Sequence, residues 1–266
     1  MSGYSGLTAT CKLASGGFFL ATAVERYTAA AVSDRGRKRP TNEDAYGYSV
    51  ESGVYVVCDG MGGAAAGEIA SSLAVDEILR VLNVGGEESA AELPAAAESA
   101  VIAANDAIFT RAQRNHRLSG MGTTLVVMAT REQRVWVLNI GDSRCYRQRG
   151  GRLEQLTRDH SLVEEQVRLG RMTPREALSS PLKNVITRAL GTQSRVTPDV
   201  FEFEAEPGDL FLLCSDGLTR ELSDTSIEGL LKGEDSLEKL AARLVESAKK
   251  AGGHDNITCL LVRAES

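Results

Sequence analysis

The chain has 266 residues, 42% of them hydrophobic, enough for one sizeable buried core and better suited to one large domain than to two. Its 36 Asp and Glu against 30 Lys and Arg give a net charge of -6, which argues against a nucleic-acid partner, since a phosphate-backbone binder carries a basic face or tail. Cys11, Cys58, Cys145, Cys214 and Cys259 are odd in number and contain no CxxC, and His116, His160 and His254 lack ligand spacing, so a disulfide frame and a zinc site are both disfavoured.

Residues 1–27 read as an N-terminal extension of unknown role. The apolar stretch 16–23 has an Ala-x-Ala pattern but only Lys12 before it as charge, and it is too short to cross a bilayer. A cytoplasmic, membrane-free protein is the expectation. Residues 28–32 then read as a strand, 33–41 as a polar loop, and Asn42-Glu43-Asp44 as an acidic cluster. Residues 46–50 and 54–58 form an expected hairpin, and the second run delivers Asp59-Gly60 at its carboxyl end. Helical spacing follows in Ile69, Leu73 and Leu82 and again in Val101, Ala104 and Ile108, with a loop at 85–88 between them. Residues 123–129 and 135–140 return to strand patterns and lead into Gly141-Asp142-Ser143-Arg144.

Residues 159–190 differ in texture. A short amphipathic helix at 161–169 ends at Gly170, and Thr173-Pro174-Arg175-Glu176 starts another with Thr as N-cap. This Arg-rich insert suits either a flap over a site or an ordinary connecting excursion. A second apolar run, 210–214, delivers Ser215 and then Asp216-Gly217, with Gly217 expected to do no more than turn the chain. Leu237, Leu240, Ala241, Leu244, Val245 and Ala248 make one apolar helical stripe, with Asp235 and Glu238 spaced as a capping box, and residues 257–262 form a last strand after His254-Asp255-Asn256. Strand clusters separated by helical pairs imply an α+β fold with largely antiparallel sheets.

Four acidic clusters therefore stand at strand edges: Glu43-Asp44, Asp59, Asp216 and Asp255. An all-oxygen set selects hard cations such as Mg²⁺ or Mn²⁺, and several carboxylates can hold two of them close enough to activate one water at neutral pH. Arg39 is a candidate for gripping phosphate through its fork of donors.

The strings Arg39-x-x-Asn42-Glu43-Asp44, Val57-Cys58-Asp59-Gly60-Met61-Gly62-Gly63, Gly122-Thr123-Thr124, Gly141-Asp142-Ser143-Arg144, Ser215-Asp216-Gly217-Leu218 and His254-Asp255-Asn256-Ile257-Thr258 occur in the order seen in the metal-dependent Ser/Thr protein phosphatases of type 2C. The chain resembles a compact bacterial member of that family over about residues 29–262. The resemblance implies a four-layer α-β-β-α sandwich, two antiparallel sheets flanked by helices, in a single phosphatase domain at 28–266 with a flap insert at about 159–190. It also implies roles. Asp59 bridges two metals, Glu43 and the Gly60 carbonyl complete one ion, and Asp216 and Asp255 hold the other. Asp44 orients metal-bound water, Arg39 grips the substrate phosphate, and Asp142 matches the residue that binds a third, weaker metal. The expected activity is hydrolysis of phosphoserine and phosphothreonine in proteins, without a covalent intermediate, by a monomer whose substrates come from a Ser/Thr protein kinase.

One departure stands out. Many eukaryotic relatives place a histidine directly after the Asp-Gly, where this chain has Met61, which cannot protonate a leaving group; the general acid is left unassigned, with His160 read as a satisfied surface histidine. Two other readings of the same carboxylates are a two-metal phosphodiesterase and a non-catalytic phosphoprotein-binding regulator.

Overall fold

The computed structural model describes residues 23–62, 66–84, 89–233 and 235–266. The loop expected at 85–88, and all of the N-terminal extension before residue 23, lie outside the described residues. In chain order the first strands are β1 (Arg26–Asp34), β2 (Asp44–Ser49) and β3 (Val54–Met61), followed by helices α1 (Ala66–Val84) and α2 (Leu93–Arg114). Then come β4 (Gly122–Thr123), β5 (Leu125–Arg131), β6 (Arg134–Ile140), β7 (Arg144–Arg149) and β8 (Arg152–Gln155). The remainder comprises α3 (Leu162–Arg168), α4 (Pro174–Ser179), β9 (Asp199–Glu204), β10 (Leu210–Cys214), α5 (Asp216–Thr219), α6 (Asp224–Leu231), α7 (Leu237–Ala251) and β11 (Ile257–Glu265).

The strands build two antiparallel sheets, one in the order β1-β11-β10-β7-β8 and one in the order β2-β3-β5-β6-β9, with β4 pairing the end of β3. Successive strand side chains point to opposite faces, so each central strand contributes to two cores at once. Val54, Val56 and Cys58 of β3 pack with Ala70, Ala74 and Ile78 of α1 and Ala104 and Ile108 of α2. Their alternates Tyr55 and Val57 meet Phe211 and Leu213 of β10 and Leu260 and Val262 of β11 between the sheets. Leu212, Cys214, Cys259 and Leu261 face the other way, onto Leu240, Leu244 and Ala248 of α7. The result is the expected α-β-β-α sandwich.

Local details differ from the sequence pattern in two places. The expected single strand at 123–129 breaks at Thr124, which lies between β4 and β5. The capping box expected from Asp235 and Glu238 does not form: α7 starts one residue later with Ser236 at its N-cap, and Asp235 pairs instead with Arg243 at 2.7 Å. By contrast, Thr173 and Glu176 do form a reciprocal capping box at the start of α4.

Candidate active site

The interior layer ends in carboxylates. The β2–β3 register sets Asp44 directly opposite Asp59, and two like charges facing each other across an antiparallel pair repel. The backbone of Asp59 is nonetheless fixed from three directions. Its N–H donates to Thr124 Oγ1 at 2.9 Å, and its carbonyl accepts from the Thr124 N–H and from Thr123 Oγ1, each at 2.9 Å. The break between β4 and β5 frees both threonines for this task. Thr124 Oγ1 also meets Ser143 Oγ at 2.7 Å, which ties Asp59 to the turn carrying Asp142. Burial, and then the neighbouring Asp44, Asp216, Asp142 and Asp255, push the Asp59 carboxyl well above the usual carboxylate range.

Asp44 sits behind this group. Its Oδ2 accepts hydroxyls from Ser215 and Thr258, each at 2.7 Å, while Oδ1 is buried without a hydrogen-bond partner. Burial outweighs those two hydroxyls and raises its pKa to about 6. Glu43 is placed by its backbone: its N–H donates to Asn256 Oδ1 at 2.9 Å, and its carbonyl accepts from the Gly60 N–H at 3.1 Å and Ser71 Oγ at 2.6 Å. Asn256 turns its other end to the carbonyls of Arg35 and Thr41, at 3.0 and 2.8 Å, so one amide pins the whole loop that carries Arg39 and Glu43 onto β11. The start of α1 approaches so closely that a Cβ at Gly67 would lie 2.8 Å from the Gly60 carbonyl carbon and 2.9 Å from Glu43 Oε2. Only glycine allows the two oxygen donors of Glu43 and Gly60 to share that corner.

Asp216 opens α5, and Gly217 behind it does more than turn: its Cβ position is occupied by the carbonyl of Asn256. Asp216 Oδ1 is a second buried oxygen without a partner, and Asp216 also forms an ion pair with Arg220. Burial, reinforced by Asp142, lifts Asp216 well above the usual carboxylate range. Asp255 Oδ2 accepts from Arg39 at 2.7 Å and from Arg220 at 2.8 Å. Arg39, Glu43, Asp59, Gly60, Asp142, Asp216 and Asp255 all line one cavity of about 260 Å³, with Met61 and, from beyond α4, Asn184 and Ile186. Asp44 alone of the expected set stays behind the wall.

Among the described residues no three carboxylate, imidazole or thiol groups already stand at metal-ligand spacing. Arg39 pairs there with Asp255, and Arg220 with both Asp216 and Asp255. The donor chemistry nonetheless fits hard divalent cations: every donor is oxygen, two buried carboxylate oxygens lack partners, and the carboxyls resist ionisation until positive charge arrives.

A family model described as protein phosphatase 2C matches residues 35–262. The chain belongs to the protein phosphatase 2C family. Serine/threonine phosphatase stp of Listeria welshimeri is 40% identical over 238 residues, 86% of this chain and 93% of that protein. Serine/threonine protein phosphatase PstP of Mycobacterium tuberculosis is 42% identical over 242 residues, 90% of this chain and 45% of that protein. The crystal structure of the M. tuberculosis phosphatase PstP/Ppp aligns with a TM-score of 0.85 at 38% identity, covering 91% of this chain and 100% of that one. The catalytic domain of PstP in complex with 2 manganese ions aligns at 0.82 and 37% identity, covering 91% and 99%.

Several residues of this phosphatase site escaped the sequence reading. Thr123, Thr124, Ser143, Ser215, Asn256 and Thr258 lie inside the quoted strings, yet their work is to hold backbones and Asp44, which spacing alone does not reveal. Arg220 lies outside every string, and only the single turn of α5 brings it over Asp216. His160 is buried rather than at the surface: Nδ1 accepts the Gly141 N–H at 3.1 Å and Nε2 lies 3.3 Å from Asp199, and burial lowers its pKa. It acts on the turn before Asp142, not on the cavity. Burial also pushes the Cys214 thiol up to about 12, and Cys58 higher still, so neither phosphatase thiol is a nucleophile.

Proposed function

We propose that this serine/threonine protein phosphatase hydrolyses phosphoserine and phosphothreonine in proteins by direct attack of water, without a covalent phosphoenzyme. The observation that carries the reading is one cavity lined by Glu43, Asp59, Asp142, Asp216 and Asp255 with Arg39 and Arg220, in which Asp216 Oδ1 is buried without a partner, as is Asp44 Oδ1 behind the wall. Asp59, Glu43 and the Gly60 carbonyl are assigned to one divalent ion, and Asp59, Asp216 and Asp255 to a second, Mn²⁺ or Mg²⁺. When bound, such ions lower the pKa of a water and neutralise phosphoryl charge.

The chain's own residues then divide the remaining work. Asp44, braced by the hydroxyls of Ser215 and Thr258, is assigned to orient the attacking water from behind the cavity wall, its Oδ1 buried and without a protein partner. Arg39 stands at the rim, its side chain half exposed and paired with Asp255 at 2.7 Å, where its fork of donors would grip the substrate phosphate. Met61 lines the cavity and cannot give a proton to the leaving alkoxide. Residues 28–266 act as one catalytic domain, working as a monomer in the cytoplasm on marks set by a Ser/Thr kinase. Among the described residues no helix is long and apolar enough to cross a membrane.

The test is phosphate release from a phosphothreonine peptide with and without Mn²⁺, beside a dinucleotide. Manganese-dependent release from the peptide alone is expected. Faster cleavage of the dinucleotide would favour the phosphodiesterase reading, and no turnover with either would favour a binding module.

A further inference from the structure

The loop between β1 and β2 is cationic in a chain that is acidic overall. Arg35, Arg37, Lys38 and Arg39 place four cations in five residues, all of them exposed, against a net charge of -6 for the whole chain. Of the four, only Arg39 has an ion-pair partner among the described residues. The carboxylates around the loop are committed elsewhere. Asp34, just before it, binds Lys249 and the Gly36 N–H; Glu246 on α7 also binds Lys249; and Glu221 binds His254. The last turn of α7 adds further positive charge in Lys249 and Lys250.

The loop is also held in place. Asn256 Nδ2 donates to the carbonyls of Arg35 and Thr41, the Arg37 N–H donates to the Gly253 carbonyl at 2.7 Å, and the Arg35 guanidinium folds back to the Pro40 carbonyl at 3.5 Å. Gly36, with φ +74°, takes the left-handed conformation, and a Cβ there would strike the Asp255 carbonyl oxygen. The stem of Arg37 crosses Gly253 so closely that a Cβ at that glycine would lie 2.9 Å from Arg37 Cγ. The loop therefore rests on residues 253–256, of which Asp255 and Asn256 line the catalytic cavity. A backbone ordered beforehand has less freedom to lose when its side chains meet a partner.

The spacing decides what such a partner would be. Arg37 and Arg39 are two residues apart, so their Cα atoms lie at most about 7 Å from each other, the length of two residues of an extended peptide. With a phosphate at Arg39, the side chains one to three residues away along the substrate fall beside Arg37 and Lys38. We propose that Arg37 and Lys38 recognise acidic residues flanking the phosphorylated one, so that this phosphatase favours phosphoproteins with Glu or Asp within about three residues of the phosphoserine or phosphothreonine. The proposal rests on the reading of Arg39 as the phosphate grip. Exposed ion pairs are individually weak, so the effect is a preference, about 10-fold in kcat/KM for the two cations together. Contacts remote from the reacting phosphorus act alike on bound substrate and transition state, so the preference falls on KM and leaves kcat little changed.

The test uses phosphothreonine peptides of one length with Glu, Gln or Lys at the two positions on each side of the phosphothreonine. The intact protein should turn over the Glu peptide with a kcat/KM about 10-fold above that of the Lys peptide, through KM, and the gap should shrink at high ionic strength. Arg37→Ala combined with Lys38→Ala should bring that ratio close to one, and Arg37→Glu combined with Lys38→Glu should reverse it. A ratio of two substrates on one preparation does not move with the fraction of folded enzyme, so a partly unstable variant still decides the matter. Equal kcat/KM for the Glu and Lys peptides with intact protein would overturn the proposal, as would a ratio unchanged in both double variants. No turnover of any peptide or of p-nitrophenyl phosphate would instead remove the catalytic reading, and this proposal with it.

Discussion

The space between the two sheets has an apolar half and a charged end, built by the same strands with the same alternation. Tyr55 and Val57 point into it from β3, Phe211 and Leu213 from β10, and Leu260 and Val262 from β11. The next inward positions along those strands bring Asp59, Ser215 and Thr258, with Asp44 facing Asp59 from β2. The apolar half is complete in itself: its stability grows with the area it removes from water. The charged end is incomplete: its carboxyls are raised by burial and by one another, and it contains partnerless buried oxygens. Precise strand geometry thus serves two opposite ends, one that favours folding outright and one that costs folding free energy until cations arrive.

Substitutions should separate the two halves. At the charged end, Asp59→Asn should lower turnover on a phosphopeptide by roughly 10³-fold, several kcal/mol of lost transition-state stabilisation. Near-normal turnover would void the assignment of Asp59. In the apolar half, Leu213→Ala, fully buried, should cost about 2–5 kcal/mol in denaturant unfolding while the folded fraction keeps near-normal turnover. A large loss of turnover per folded molecule would show that the two halves are not separable. Thr124→Val sits on the boundary, where it removes a hydroxyl that holds Asp59 and Ser143; turnover should fall about 10–100-fold with manganese affinity weakened alongside.

Protons sharpen the contrast further. Asp44 has a folded value of about 6, above its unfolded value of about 4, so its protonated form favours folding at low pH. That contribution is present below the unfolded value and is lost as pH rises through the folded one. The ligands Asp59 and Asp216 are raised likewise, and manganese competes with their protons, so the rise in Tm that it causes should grow as pH increases from acidic to neutral. A rise independent of pH would contradict the site. The smallest expected effect has the opposite sign to ordinary core damage: without metal, Asp59→Asn should stabilise the protein by about 1 kcal/mol, or roughly 2–4 °C in Tm. A metal-free variant less stable than the parent would mean that Asp59 is already compensated.

Much of this site was legible in the sequence because its ligands sit at the ends of short apolar runs, where position along the chain translates directly into position in space. Asp59, Asp216 and Asp255 all follow that rule, and all line one cavity. What the sequence hid depends on contacts between distant segments. Ser215 and Thr258 bracket Asp44 across two sheets, Asn256 gathers the Arg39 loop, and Arg220 reaches Asp216 only because α5 completes a turn. The capping box expected at Asp235 failed for a more local reason, since Arg243, within α7 itself, claimed that side chain.

The pairing of Asp44 with Asp59 also has a consequence for how the molecule assembles. If β3 slid along β2 by a single residue, every side chain would change face: Asp59 would be driven against the alanines of α1, and Cys58 would enter the place of the carboxylate. A misaligned chain would then bury an unpaired charge in an oily layer and could recruit no ion to relieve it. Only the correct alignment sets Asp59 opposite Asp44 and on the wall of the cavity.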